Sequence, residues 1–114
     1  MATTMTYFLS PVAAAAFGPD KFAKSDLARG AHLFLGLNCF EPGQRQPAHV
    51  HGGADKFYLV LSGKARITVG GETQVTEAGG LVWAPADIPH GVDEALERTV
   101  MLVGMAPGPG ARGK

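Results

Sequence analysis

HVHGGADKFYLVLSG, residues 49–63, sets two histidines one residue apart, then a strand-like apolar run that a glycine closes. In extended chain, residues two apart point to the same side, so His49 and His51 can aim both imidazoles at one point. Neutral imidazole is the commonest side-chain ligand for divalent first-row metals. KFYLVLS (56–62) reads as a strand broken at Gly63.

Working outward, AHLFLGLNCF (31–40) is apolar at both alternating sets of positions, as a strand covered on two sides would be. EPGQ (41–44) places Pro then Gly at the centre of a type II turn. ARITVGGETQVTEA (65–78) reads as a hairpin, with Ile67 and Val69 on one face and Gly70-Gly71 at the turn. LVWAP (81–85) and ERTVMLVGM (97–105) are further strands. The one stretch with helical character is DKFAKSDLA (20–28), with Asp20 or Ser25 as cap. APGPGARGK (106–114) predicts a loose basic tail. The 16 glycines and 8 prolines are spread along the chain, as short strands joined by tight turns require. The sum is a small all-β domain, a sandwich or barrel.

A chain of 114 residues, 46% hydrophobic, suffices for one domain with its own core. Ten basic and ten acidic side chains cancel without clustering, which argues against a nucleic acid or an anionic membrane as partner. No apolar run reaches the roughly 20 residues of a membrane span. YFLSPVAAAAF (7–17) lacks the basic flank of a secretory signal, and Cys39 has no internal cysteine to pair with. These features predict a cytoplasmic protein, with Cys39 as a buried apolar residue.

His90 follows Pro89 near the start of another predicted strand, where a third imidazole can converge on the first two. Three histidines leave coordination positions open, as catalysis requires. His32 is a lone histidine, expected as a partly buried ring on a strand face shared with Phe34 and Phe40. The wider spacing carries more weight. Gly43 is followed after five residues by His49, then His51, and later Gly63. Gly79 is followed after five residues by Pro85, then Asp87 and His90. These two blocks, spanning 43–94, resemble the paired motifs of the cupin superfamily, and their short separation is similar to that of small single-domain microbial cupins.

The resemblance implies a double-stranded β-helix, or jelly-roll barrel, with at most a short N-terminal helix. It divides the chain into an N-terminal arm and edge segment (1–30), a barrel (31–106) and a flexible tail (107–114). It further implies one divalent transition metal (Fe, Mn, Ni, Cu or Zn) held by His49, His51 and His90, and a homodimer. YFLSPV (7–12) is the candidate edge strand added to a partner.

Three positions depart from the family pattern. Asp87 stands where the second motif has Gly, and tolerates the same left-handed turn. Glu94 stands where the family often has Asn. Most consequentially, counting back six residues from Gly63 puts Lys56, which cannot ligate a metal, at the acidic-ligand position. Counting forward from His51 gives Asp55 instead. Strand parity favours Asp55 inward, because Phe57, Leu59 and Leu61 then follow it, whereas Lys56 brings Tyr58, Val60 and Ser62. Asp55 is thus a candidate fourth ligand or an acceptor for an imidazole N–H. Lys56 is either a solvated surface residue or a cation that steers an anionic substrate. Tyr58 and Trp83 suit core or dimer packing better than substrate contact, though both are candidates for it.

The foremost functional expectation is a metal-dependent oxygenase of a small enolisable substrate. The alternatives are a non-enzymatic module for a small ligand or metal, and a metal-assisted isomerase in which Lys56 or Glu94 moves protons.

Overall fold

Nine strands form among residues 7–50 and 52–110, the part of the chain that the computed structural model describes. They are β1 (Ala23–Arg29), β2 (Phe34–Phe40), β3 (Gln46–His49), β4 (Asp55–Ser62), β5 (Lys64–Val69), β6 (Glu72–Glu77), β7 (Leu81–Ala84), β8 (His90–Ala95) and β9 (Thr99–Ala106). All pair antiparallel, in a five-stranded sheet ordered β1-β2-β9-β4-β7 and a four-stranded sheet ordered β3-β8-β5-β6. The architecture is the all-β jelly roll expected from the sequence. Helical structure among the described residues is one 3₁₀ turn, Val12–Ala14.

The turns form where their chemistry requires. Gln44 N–H donates to the Glu41 carbonyl at 3.1 Å, and Gly43 takes φ +87°, which closes the type II turn at Pro42-Gly43. Val69 pairs with Glu72 across Gly70-Gly71, as the predicted hairpin demands. Gly63 has φ +89°, and a side chain there would collide with the Arg98 carbonyl oxygen, so the strand break needs glycine.

Two apolar layers result, one between the sheets and one outside. Between the sheets, Phe40, Tyr58, Val60, Met101 and Val103 meet Ala65, Ile67, Val92 and Ala95. Phe22 stacks on Phe40 with centroids 4.8 Å apart. Outside the larger sheet, Leu37, Cys39 and Val100 are covered by Ala15 and Phe17 of the N-terminal segment, with Leu27, Leu61 and Leu102 alongside. This second layer is why Gly36–Phe40 is buried at every position, and burial pushes the Cys39 thiol pKa up.

The structure corrects four expectations. The stretch expected to be helical, 20–28, contains the edge strand β1 instead. Ala23, Ser25 and Leu27 are half-buried and alternate with exposed Lys24, Asp26 and Ala28, a period of two that pairing with β2 exploits. His32 is exposed in the connection before β2 and belongs to no strand. The predicted loose tail folds back at its start, where Gly108 is buried beside Phe34 and Arg29 Nη1 donates to the Pro109 carbonyl. Its last four residues, 111–114, fall outside the described part. The fourth correction concerns β4. Lys56, Tyr58 and Val60 face the interior, whereas Asp55 is exposed and Phe57, Leu59 and Leu61 lie half-buried on the outer face. Parity misleads here because the outer face is itself apolar: Phe57 lies across Gly104, and Leu61 joins the outer layer.

Candidate functional site

β3 and β8 bring the first two candidate ligands together. His49 ends β3, His90 begins β8, and the two are direct cross-strand partners. Their ring centroids lie 4.4 Å apart at an interplanar angle of 61°. In each case the ring Nδ1 lies on the carbonyl two residues back: 3.0 Å for His49 on Pro47, and 2.9 Å for His90 on Ile88. A carbonyl can only accept, so both Nδ1 atoms carry the proton and each Nε2 presents a lone pair. That is the tautomer a metal requires, fixed by an outer hydrogen bond as metal-binding imidazoles usually are. His51 lies outside the described residues. Among the described residues no three His, Cys, Asp or Glu side chains converge, and His49 and His90 are the two expected ligands that the described structure brings together.

From the opposite sheet, β4 presents Lys56 and Tyr58 to this pair. Tyr58 is fully buried, its ring 6.1 Å from that of His90, and its hydroxyl donates to Gln46 Oε1 at 3.0 Å. Lys56 is only 6% exposed, and its Nζ lies 4.9 Å from the Tyr58 ring centroid. Burial, then the charge of Lys24, lowers the Lys56 pKa to about 8. Burial also lowers the pKa of both histidines, and the nearby Lys56 charge pushes the same way, which favours neutral rings. Burial pushes the Tyr58 pKa up, so the phenol stays protonated.

The two carboxylates around which the motifs were read hold the site's loops together. Asp55 Oδ1 accepts from Ala86 N–H at 2.9 Å, and Asp87 Oδ1 accepts from Gly53 N–H at 3.2 Å. The pair ties the loop after His51 to the turn before His90. Asp87 has φ +69°, the left-handed conformation expected of it. Asp55 lies on the face of β4 opposite Lys56, away from the imidazole pair. Glu94 is exposed and ion-paired to Arg66 at 3.3 Å. Trp83 is 57% exposed. It lies opposite Phe57 on the outer side of β7, lining a groove of about 350 Å³ between the sheet edges, so it is not brought to the histidines.

Three polar residues near the site escaped the sequence reading: Gln46, Lys24 and Asn38. Asn38 had a usable signal, as a lone amide inside the apolar run 33–40. It is 4% exposed, and Nδ2 has no hydrogen-bond partner among the described residues.

Comparison with known proteins agrees with the fold. The cupin domain family model matches residues 36–104. An uncharacterized protein of Streptomyces coelicolor is 33% identical over 79 residues, covering 69% of this chain and 74% of its own length. The crystal structure of TT1209 from Thermus thermophilus superposes with a TM-score of 0.86 at 34% identity, covering 91% of this chain and all of that one. An uncharacterized double-stranded β-helix protein of Klebsiella pneumoniae superposes at 0.83 with 22% identity, over 91% and 92% of the two chains. With the paired motifs, the two-sheet barrel and these relatives in agreement, the chain belongs to the cupin domain family.

Proposed function

We propose that this cupin binds one divalent first-row metal through His49, His51 and His90, and uses it to oxygenate a small enolisable substrate. The observation that carries the reading is the imidazole pair, its ring centroids 4.4 Å apart and both Nδ1 atoms held on backbone carbonyls, the tautomer in which Nε2 is the metal-binding nitrogen. A bound metal would supply Lewis acidity to an enolisable oxygen and an open position for dioxygen. The chain's own residues do the rest. Proline and isoleucine carbonyls hold the two rings, Tyr58 and Gln46 brace the wall beside them, and Lys56 offers a cation to an anionic substrate. Oxygen consumption by iron-, manganese-, nickel- and copper-loaded protein with enolisable substrates tests the reaction. Uptake that disappears in His90→Ala supports it, and no uptake with any pairing overturns it.

A second reading, a module that binds a small ligand or metal without turnover, is favoured by one observation. Among the described residues, the candidate carboxylates Asp55 and Glu94 are engaged elsewhere, Asp55 on Ala86 and Glu94 on Arg66, which leaves few groups to move protons. A ligand recovered unchanged from the metal-loaded protein would select this reading. For isomerisation the same geometry leaves Lys56 as the proton carrier, and substrate consumption without oxygen would identify it.

The expected homodimer is carried forward on the exposure of Tyr7 and Phe8, 86% and 87%, in the arm proposed to add to a partner. Light scattering on a chain lacking residues 1–12 should show a monomer. An unchanged oligomer removes the arm from the interface. The single buried thiol fits the reducing cytoplasm.

A further inference from the structure

A cavity of about 280 Å³ opens beside Lys56, lined from β1, β2, β4 and β9, and none of the described histidines lines it. Its polar lining consists largely of donors. Lys56 is 94% buried, with the Tyr58 ring as its one described charge-compensating neighbour and no carboxylate within ion-pair distance. Asn38, buried on β2, contributes Nδ2, unpartnered among the described residues, and pairs across the sheet with Lys24, an exposed lining residue whose Nζ lies 5.7 Å from the Phe22 ring centroid. The acid in the lining, Asp26, is paired to Arg29 at 3.1 Å. Three cations therefore face one carboxylate already in use. The buried Asn38 amide N–H₂, without an acceptor among the described residues, is costly, and the Lys56 ammonium, with no carboxylate beside it among those residues, gains from an oxyanion that enters the cavity. Beside them on the same sheet, Phe34, Val103 and Met105 give the lining an apolar part, Met105 being the cross-strand partner of both Lys56 and Phe34.

We infer that this cavity binds a small organic acid, its carboxylate on Lys56 and Asn38 with Lys24 alongside, and its apolar body on Val103, Met105 and Phe34. Ammonium and amide donors cannot accept hydrogen bonds, so they select an oxyanion. The apolar part of the lining selects one with a hydrocarbon body over a bare ion, and the volume, at the small end of ligand sites, limits its size. The inference deepens the proposed function by giving the class of molecule that Lys56, which faces the imidazole pair and also lines this cavity, would hold. It stands apart from the metal, because its residues are not the ligands.

Titration calorimetry on the full chain, both chelator-treated and metal-loaded, tests it with acetate, hexanoate, benzoate and inorganic phosphate. Hexanoate or benzoate should bind the metal-free protein about tenfold tighter than acetate or phosphate. Lys56→Met and Asn38→Leu should each weaken that binding about tenfold or more, as loss of a charge-assisted or buried hydrogen bond does. Lys24→Gln, at an exposed strand position, should weaken it severalfold with folding checked by circular dichroism. Phosphate binding as tightly as hexanoate would make the site an inorganic-anion site and overturn the apolar half of the assignment. Organic acids that bind the three variants as well as wild type, or do not bind at millimolar concentration, would overturn it entirely. Metal content reports separately on the histidines, so carboxylate binding without metal and metal binding without carboxylate are distinguishable failures.

Discussion

Along β4 the inward face runs Lys56, Tyr58, Val60 and the outward face Asp55, Phe57, Leu59, and the outward face reads as the more apolar because Phe57 and Leu59 stand where the inward face has a phenol and an ammonium. Yet the inward side chains are the ones removed from water, at 6%, 0% and 0% exposure. In a barrel that houses a site, polar groups are placed inside where a ligand is to meet them, and the residual apolar alternation marks the outer, partly covered face. Hydrophobicity alone therefore mistakes outside for inside at the site end of the strand. At its other end, Val60 packs with Met101 and the core, and the usual rule returns.

Truncation on the two faces should separate them most. Tyr58→Ala removes a fully buried ring and leaves Gln46 without its donor, and should cost about 3–5 kcal/mol in chemical denaturation. Phe57→Ala, on the half-buried outer face, should cost about 1–2 kcal/mol. Equal losses would erase the distinction between the faces.

Lys56 sharpens it by pH. Its folded pKa of about 8 lies below the usual 10.5, so between those values the unfolded chain holds a proton that the folded chain has released. Stability then rises with pH across that window, and the burial penalty, about 3 kcal/mol, is present in full below pH 8. Lys56→Met should be more stable than wild type at pH 7, with the gap closing by about pH 10.5. A gap independent of pH would place the ammonium in solvent.

Smaller still is the outward acid. Asp55→Ala loses the hydrogen bond from Ala86 N–H, should cost about 1 kcal/mol, and should leave metal content unchanged. Loss of metal would make Asp55 a ligand.

Much of the barrel was legible because its signals are local. Pro42-Gly43, Gly63 and Gly70-Gly71 specify their turns through backbone sterics, and the run 36–40 shows its two-sided burial directly. The pairing of His49 with His90 was legible only through motif spacing, since strand register is a long-range property. β1 was misread because Ala, Lys and Leu favour helix locally, while its period-two burial exists only against β2. The inward turn of Lys56 was hidden because the covering of the outer face by Ala15 and Phe17 cannot be read from β4 itself.

Elemental analysis of the purified protein beside His49→Ala and His90→Ala bears most directly on the imidazole pair as a metal centre. Wild type should carry one divalent first-row metal per chain, and each variant, still folded by circular dichroism, should lose it. Wild type that takes up no such metal on loading, or variants that retain it in full, would contradict the assignment of these histidines as ligands.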